Sequence, residues 1–445
     1  MAKSQTTYVC SECGSMSPAY LGRCPRCGEW GTLEPESSAP PTRGRGGGGS
    51  GGGRSLEALR LEDVLDATLA RRSSGDPEVD RVLGGGWVVG SALLIAGEPG
   101  IGKSTLLLQL AQHAVDQGRS VLYVAGEESP AQVRMRADRL GLGSSMQLTR
   151  ENEAEVIAEH LRSQAPDLVI VDSIQTLVAE SGGVPGTVSQ LRDSTAILVE
   201  AAKESGSTLV LIGHVTRQGS IAGPKVIEHV VDATFALESA AGLRVLRSLK
   251  NRFGATGEVG VFEMTATGMV AVQNPSEAFL AERPEGVPGS VVVAALEGQR
   301  PLLLEVQALA SKSPYSAPRR VVQGLDQRRV DVVLAVLERR LQLPLDTLDI
   351  FVNVAGGLRL TDPGTDLAVA AAVYSAVTNR PAPAQTALVG EVGLAGELRS
   401  VSQLGRRLEE AKRAQHPRLI GPRSRELNEG VRTLKEALAL LWDGR

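Results

Sequence analysis

The sequence predicts an α/β protein in three parts: a small metal-binding module, a nucleotide-binding core on parallel strands, and a C-terminal α+β domain. Three observations predict it. All four cysteines fall within residues 10–27. An apolar strand runs into Gly97-Glu98-Pro99-Gly100-Ile101-Gly102-Lys103-Ser104 and on into a helical pattern. After Asn274-Pro275 a new series of strands begins. Composition agrees: of 445 residues, 42% are hydrophobic and 22% charged, as in an average folded protein. Aromatics are only 3%, so the cores are aliphatic. No charge-free apolar run reaches ~18 residues, so no transmembrane helix is expected. Met1–Thr7 lacks the apolar stretch of a secretory signal, which points to the cytoplasm.

The first 33 residues form the cysteine module. The spacing is Cys10-x2-Cys13, ten residues, then Cys24-x2-Cys27. Each pair turns two thiolates toward one ion, and two pairs complete a tetrahedral sulfur site that suits Zn2+. The clustering favours a metal site in a reducing compartment over a disulfide framework. A redox CxxC pair and an iron–sulfur site are the competing readings. A module of this size cannot fold on aliphatic burial alone, so the metal supplies its folding energy. Residues 34–57 read as a flexible linker, because eight of the ten residues from Gly44 to Gly53 are glycine.

The core is expected over residues 58–275. Ser91–Ala96 is an apolar strand, 97–104 fits GxxxxGK[ST], and a helix follows from Thr105 to Gln117. The glycines let backbone N–H groups wrap phosphate oxygens at a helix N-terminus. Gly97, Glu98, Pro99, Gly100, Ile101, Gly102, Lys103, Ser104 and Thr105 are therefore the predicted ATP contacts. Lys103 is placed for the β- and γ-phosphates, and Ser104 for Mg2+. A strand Asp167–Val171 ends in Asp172, where an acid holds the magnesium shell. A strand Ser120–Ala125 ends at Glu127-Glu128, and Ser129-Pro130 opens the next helix as N-cap and first residue. Glu127 is the first candidate to orient the attacking water, and Glu128 the second. A third strand, Thr208–Ile212, ends at His214, read either as a phosphate sensor or as a satisfied histidine.

Net charge is −4, from 47 basic and 51 acidic residues, which excludes a histone-like global nucleic-acid binder. Residues 276–445 carry 22 basic against 20 acidic residues, and 19 of the 22 are Arg. The doublets Arg319-Arg320 and Arg328-Arg329 are candidate contacts to DNA phosphates, with a solvated face as the alternative.

With these residues in place, the chain resembles known proteins. Asp76 to Gly86 and Tyr123-Val124-Ala125-Gly126-Glu127-Glu128-Ser129 resemble RecA-type ATPases, including KaiC and the DnaB helicases. Lys250-Asn251-Arg252-Phe253-Gly254, with the cysteine module, resembles the bacterial RadA (Sms) family of DNA repair proteins over nearly the whole chain. That resemblance implies a RecA-like P-loop ATPase core in a homo-hexameric ring, acting on single-stranded and branched DNA, with the RecA recombinase as a further partner. It implies that Glu127 activates water. It also implies that Lys250 and Arg252, with Asn251 between them, couple ATP to DNA across a subunit boundary. Arg217 and Lys225 are further candidates for a cation given to a neighbour's site.

Leu388 to Arg399 resembles the Lon protease domain. Lon chemistry needs a serine nucleophile and a lysine that takes its proton. Asp362-Pro363-Gly364-Thr365-Asp366 holds no serine, and Gln403-Leu404-Gly405-Arg406-Arg407 holds no lysine. Arginine stays charged and is a poor base, and Thr365 has no visible base. The expected activity is therefore ATP hydrolysis by a helicase-type motor of recombination and repair. The rivals are a KaiC-like regulatory ATPase and, disfavoured, an ATP-dependent protease.

Overall fold

The computed structural model describes residues 7–10, 16–17, 19–26, 28–36, 70–143, 145–180, 186–214, 225–315 and 317–443. The glycine run, Cys13, Cys27 and Arg217 lie outside them. Two compact units interleave along the chain. The first takes Met1–Leu237, Ser248–Gly254 and Thr265–Met269; the second takes Glu238–Arg247, Ala255–Met264 and Val270–Arg445.

The first unit opens on a three-stranded antiparallel sheet of β1 (Thr7–Cys10), β2 (Met16–Ser17) and β3 (Leu33–Glu36), with β1 in the middle. The short β4 (Arg71–Arg72) follows, then α1 (Pro77–Leu83). The Asp76 side chain caps α1, Pro77 fits its first turn, and Gly84 ends it at φ 86°. Next come β5 (Trp87–Val88), β6 (Ala92–Gly97), α2 (Lys103–Asp116), β7 (Val121–Ala125) and α3 (Pro130–Arg139). Then follow β8 (Gln147–Thr149), α4 (Ala154–Gln164), β9 (Leu168–Asp172), α5 (Val188–Ser205), β10 (Thr208–His214), α6 (Lys225–Val230) and β11 (Ala233–Ala240).

These strands lie parallel in the order β11, β6, β10, β9, β7, β8. Every residue of β6, β7 and β9 is buried, as a parallel sheet covered by helices requires. The aliphatic core between β6, β7, β9 and β10 and helices α4 and α5 includes Leu94, Val124, Ile157, Leu161, Val171, Leu198 and Leu211. Because all the strands point the same way, β6, β7, β9 and β10 deliver their last residues to one end of the sheet. That end carries the site.

The chain passes between the units through β11, β12 (Leu243–Asn251), β13 (Val259–Thr265) and β14 (Gly268–Ala271). The second unit continues with α7 (Pro275–Leu280), β15 (Ser290–Glu297), β16 (Arg300–Lys312), β17 (Arg320–Gln323), α8 (Gln327–Leu341), β18 (Leu348–Val354) and α9 (Asp366–Thr378). It ends with β19 (Thr386–Leu388), β20 (Glu391–Val392), β21 (Leu398–Arg399), α10 (Leu404–Arg413), β22 (Arg418–Pro422), β23 (Glu429–Val431) and α11 (Leu434–Asp443). Its mixed sheet runs β17, β18, β16, β15, β19, β22, β23. Helix α9 is buried from Leu367 to Val373 and lies on β15 and β16, while α8 turns Val330, Val333, Leu334 and Leu337 inward.

Candidate nucleotide site

The phosphate loop leaves β6 at Gly97 and enters α2 at Lys103. Gly102 is the N-cap at φ 115°, ψ 13°, a conformation glycine adopts without strain. Having no side chain, it leaves the first-turn N–H groups available to phosphate oxygens. A Cβ on Gly97 would lie 2.6 Å from the Leu237 carbonyl oxygen, so that turn also excludes any larger residue.

Lys103 is buried, and its Nζ lies 2.8 Å from the Gly97 carbonyl, 2.9 Å from that of Glu98 and 3.3 Å from His214 Nδ1. Burial pushes the ammonium pKa down, and the charges of Asp172 and Glu127 push it back up. Asp172, buried at the end of β9, accepts a 2.7 Å hydrogen bond from Tyr123 Oη. Burial and the Asp172 charge hold the Tyr123 phenol well above its ordinary range, so it remains a donor.

Glu127 and Glu128 leave the end of β7 in different company. Glu127 is exposed; Ser173 Oγ donates to its Oε1, and His214 Nε2 lies 3.1 Å from the same atom. Burial alone would raise its pKa, but the bonds from Ser173 and His214 and the charge of Lys103 bring it below the usual glutamate value. Glu128 instead forms an ion pair with Arg136 on α3. The fold thus groups Lys103, Asp172, Glu127 and His214, all named from sequence. Tyr123, Ser173 and Arg136 join them without a sequence signal of their own; nothing local in the sequence marks Tyr123 or Arg136.

Lys250, Asn251, Arg252, Phe253 and Gly254 stand elsewhere in the same unit. Lys250 Nζ donates to the carbonyls of Glu228 and Val231, and Arg252 Nη1 lies 3.2 Å from Asp232. Asn251 bonds the Leu83 carbonyl, and Arg71 that of Phe253. Asp232 also accepts from the Ala92 N–H, at the opposite end of β6 from the phosphate loop. That separation is on the order of 17 Å along the strand. Lys225 begins α6.

In the cysteine module, Cys10 and Cys24 are buried beside Leu33, and Cys10 Sγ lies 3.2 Å from Thr32 Oγ1. Two shielded sulfurs, from the end of β1 and from the turn before Gly28, suit half of a thiolate zinc site.

In the second unit, Arg320 donates to the carbonyls of Leu345 and Leu348, and Arg329 grips both oxygens of Asp366 at 2.6 and 2.7 Å. These two guanidiniums are committed within the unit. Arg319 is 58% exposed, lies 3.7 Å from buried Asp349 and stacks 4.9 Å from the Tyr315 ring, and Arg328 is exposed. The two loops of the Lon comparison do meet. Arg407, 0% exposed, bonds Asp362 Oδ2, the Ala294 carbonyl at 2.6 Å and the Ser402 carbonyl at 3.0 Å. Thr365 is buried and donates to the Asp362 carbonyl at 2.8 Å.

Comparison with known proteins agrees with this layout. Residues 8–35 match the family model of a rubredoxin metal binding domain, 57–220 that of an AAA domain, and 318–425 that of subunit ChlI of Mg-chelatase. The chain is 46% identical over 428 residues to the DNA repair protein RadA of Pseudomonas aeruginosa, covering 95% of this chain and 94% of that protein. It is 42% identical to the protein of that name from Streptococcus pyogenes, with the same coverage. It is 44% identical over 426 residues to the one from Brucella abortus, covering 93% and 91%.

Proposed function

The chain belongs to the RadA family of DNA repair proteins, and from that membership we propose a DNA-dependent, helicase-type ATPase that processes branched recombination intermediates as a homo-hexameric ring. It is an ATPase of DNA repair; the ring, the translocation and the branch migration are our reading. One observation carries it: Lys103, Asp172, Glu127 and His214 converge at the end of the parallel sheet.

In that reading, residues 97–105 hold ATP, and Ser104 and Asp172 hold Mg2+. Lys103 faces the β- and γ-phosphates, and Glu127 takes the proton of the attacking water. Lys250 and Arg252 lie at the far end of β6 from their own phosphate loop, which supports their serving a neighbouring subunit's site or the DNA. Among the tail arginines, the exposed Arg319 and Arg328 are the proposed phosphate contacts. Cys10, Cys13, Cys24 and Cys27 hold structural Zn2+. Division of labour follows residues 1–33, 58–275 and 276–445, the last lacking the Ser–Lys pair of a protease. Among the described residues no helix is long and apolar enough to cross a membrane. A cytoplasmic place beside the RecA recombinase completes the proposal.

The test is ATP turnover with and without single-stranded DNA, beside unwinding of a branched junction and a casein digestion control. Stimulation by DNA with junction unwinding supports the motor. Turnover indifferent to DNA would favour a regulatory ATPase, and digestion of casein a protease.

A further inference from the structure

Two donors converge on one oxygen of Glu127. Ser173 Oγ donates to Oε1, and His214 Nε2 stands 3.1 Å from it. Both donors are held in turn. Ser173 is 0% exposed, and its carbonyl accepts from Thr176 Oγ1 at 2.8 Å. His214 Nδ1 lies 3.3 Å from Lys103 Nζ. An ammonium only donates, so Nδ1 accepts, and the ring proton sits on Nε2, facing Glu127. The Glu127 main chain is tied as well: the N–H groups of Gly126 and Glu127 both reach the Asp172 carbonyl, at 2.7 and 3.3 Å. With Oε1 engaged by two donors, Oε2 is the oxygen left to accept a further proton.

We propose that Ser173 and His214 are positioning residues that hold Glu127 by Oε1 and reserve Oε2 for the attacking water. This rests on Glu127 being the base. In the step, the water's O–H bond breaks and its proton goes to Oε2. The water oxygen bonds the γ-phosphorus, and the bond from that phosphorus to the bridging oxygen breaks, its electron pair leaving with ADP. The proton then passes from Oε2 to the released phosphate or to solvent. A carboxylate freed to rotate would present either oxygen in poorer alignment, and small misplacements of reacting groups lower rate steeply.

The test is steady-state ATP hydrolysis by the full-length protein with single-stranded DNA, with binding of a fluorescent ATP analogue as the check on folding. Ser173→Ala conserves volume and removes only the hydroxyl. It should lower kcat about 10-fold while KM for ATP stays within about 2-fold. Placed in a Glu127→Gln background, it should cost nothing further, because its effect runs through the carboxylate. His214→Gln, the second variant, should lower kcat and also raise KM, since His214 touches Lys103. An unchanged kcat in Ser173→Ala overturns the proposal, as does an equal fold-loss in both backgrounds. Wild-type turnover in Glu127→Gln alone would remove the base assignment itself, a result distinct from either.

Discussion

Glu127 and Glu128 are the same residue type, one position apart, and the fold gives them different work. Glu127→Gln should bind ATP normally and release phosphate at least 100-fold more slowly, because the water loses its base. Glu128→Gln should keep most turnover and lower the melting temperature by a few degrees, because Arg136 loses its charge partner. Phosphate-release kinetics and a thermal melt on both variants decide it, and the reverse pattern would exchange their roles. Lys103→Ala should abolish hydrolysis, since a buried cation held by two carbonyls is taken from the phosphate position. The phosphate loop was legible because its glycine and lysine spacing is local. The choice between the glutamates depends on Arg136, eight residues on, and Ser173, 46 residues on. No local pattern carries that information.

At the scale of elements, local chemistry predicted well where it was complete. Ser129 and Pro130 open α3 as N-cap and first residue, as the sequence predicts, and Gln132 completes a capping box. The new series of strands expected after Asn274-Pro275 opens with β15 and the longer β16. The segment 250–254 was legible only as a basic pair beside an aromatic. Its anchoring by Asp232 joins residues twenty positions apart, one just before β11 and one just after β12. Asp232→Asn keeps an acceptor for Ala92 but removes the charge facing Arg252 and Lys203. It should leave ATP binding intact and weaken DNA stimulation of turnover roughly 3-fold, the modest effect expected for a half-exposed pair. In the cysteine module, Cys24→Ser should release the metal and unfold residues 8–30 while ATP binding persists. Elemental analysis beside a nucleotide titration checks both halves. Less than about half an equivalent of zinc per wild-type chain would refute the site.

Across the whole molecule, arginine divides into two populations that composition could not separate. The tail's surplus of cations is visible in the sequence, but not that Arg320 and Arg329 are held by short bonds inside the unit while Arg319, 3.7 Å from Asp349, and Arg328 keep exposed guanidiniums. Replacing Arg319 and Arg328 with Ala should flatten the plot of log DNA affinity against log salt by about 0.9 for each phosphate no longer neutralised. Sedimentation must show the same oligomeric state as the wild type, because lost avidity would imitate weaker phosphate binding. Arg329→Ala should leave that slope unchanged and destabilise the second unit by about 2 kcal/mol, because Asp366 would keep a buried charge without its partner. An unchanged slope in the first variant would make Arg319 and Arg328 a solvated face.

Arg407 bears on why the tail would not cut protein. It bonds Asp362 and two main-chain carbonyls with no exposure to water, so it serves as a strut between α10, β15 and the 362–366 loop. A lysine there has no planar fork with which to reach three partners. Writing back the missing chemistry, Thr365→Ser with Arg407→Lys, should therefore yield a less stable protein that still leaves casein uncut. Arg407 therefore carries structural work that a proton-accepting lysine could not take over, and two substitutions alone do not turn these loops into a protease site.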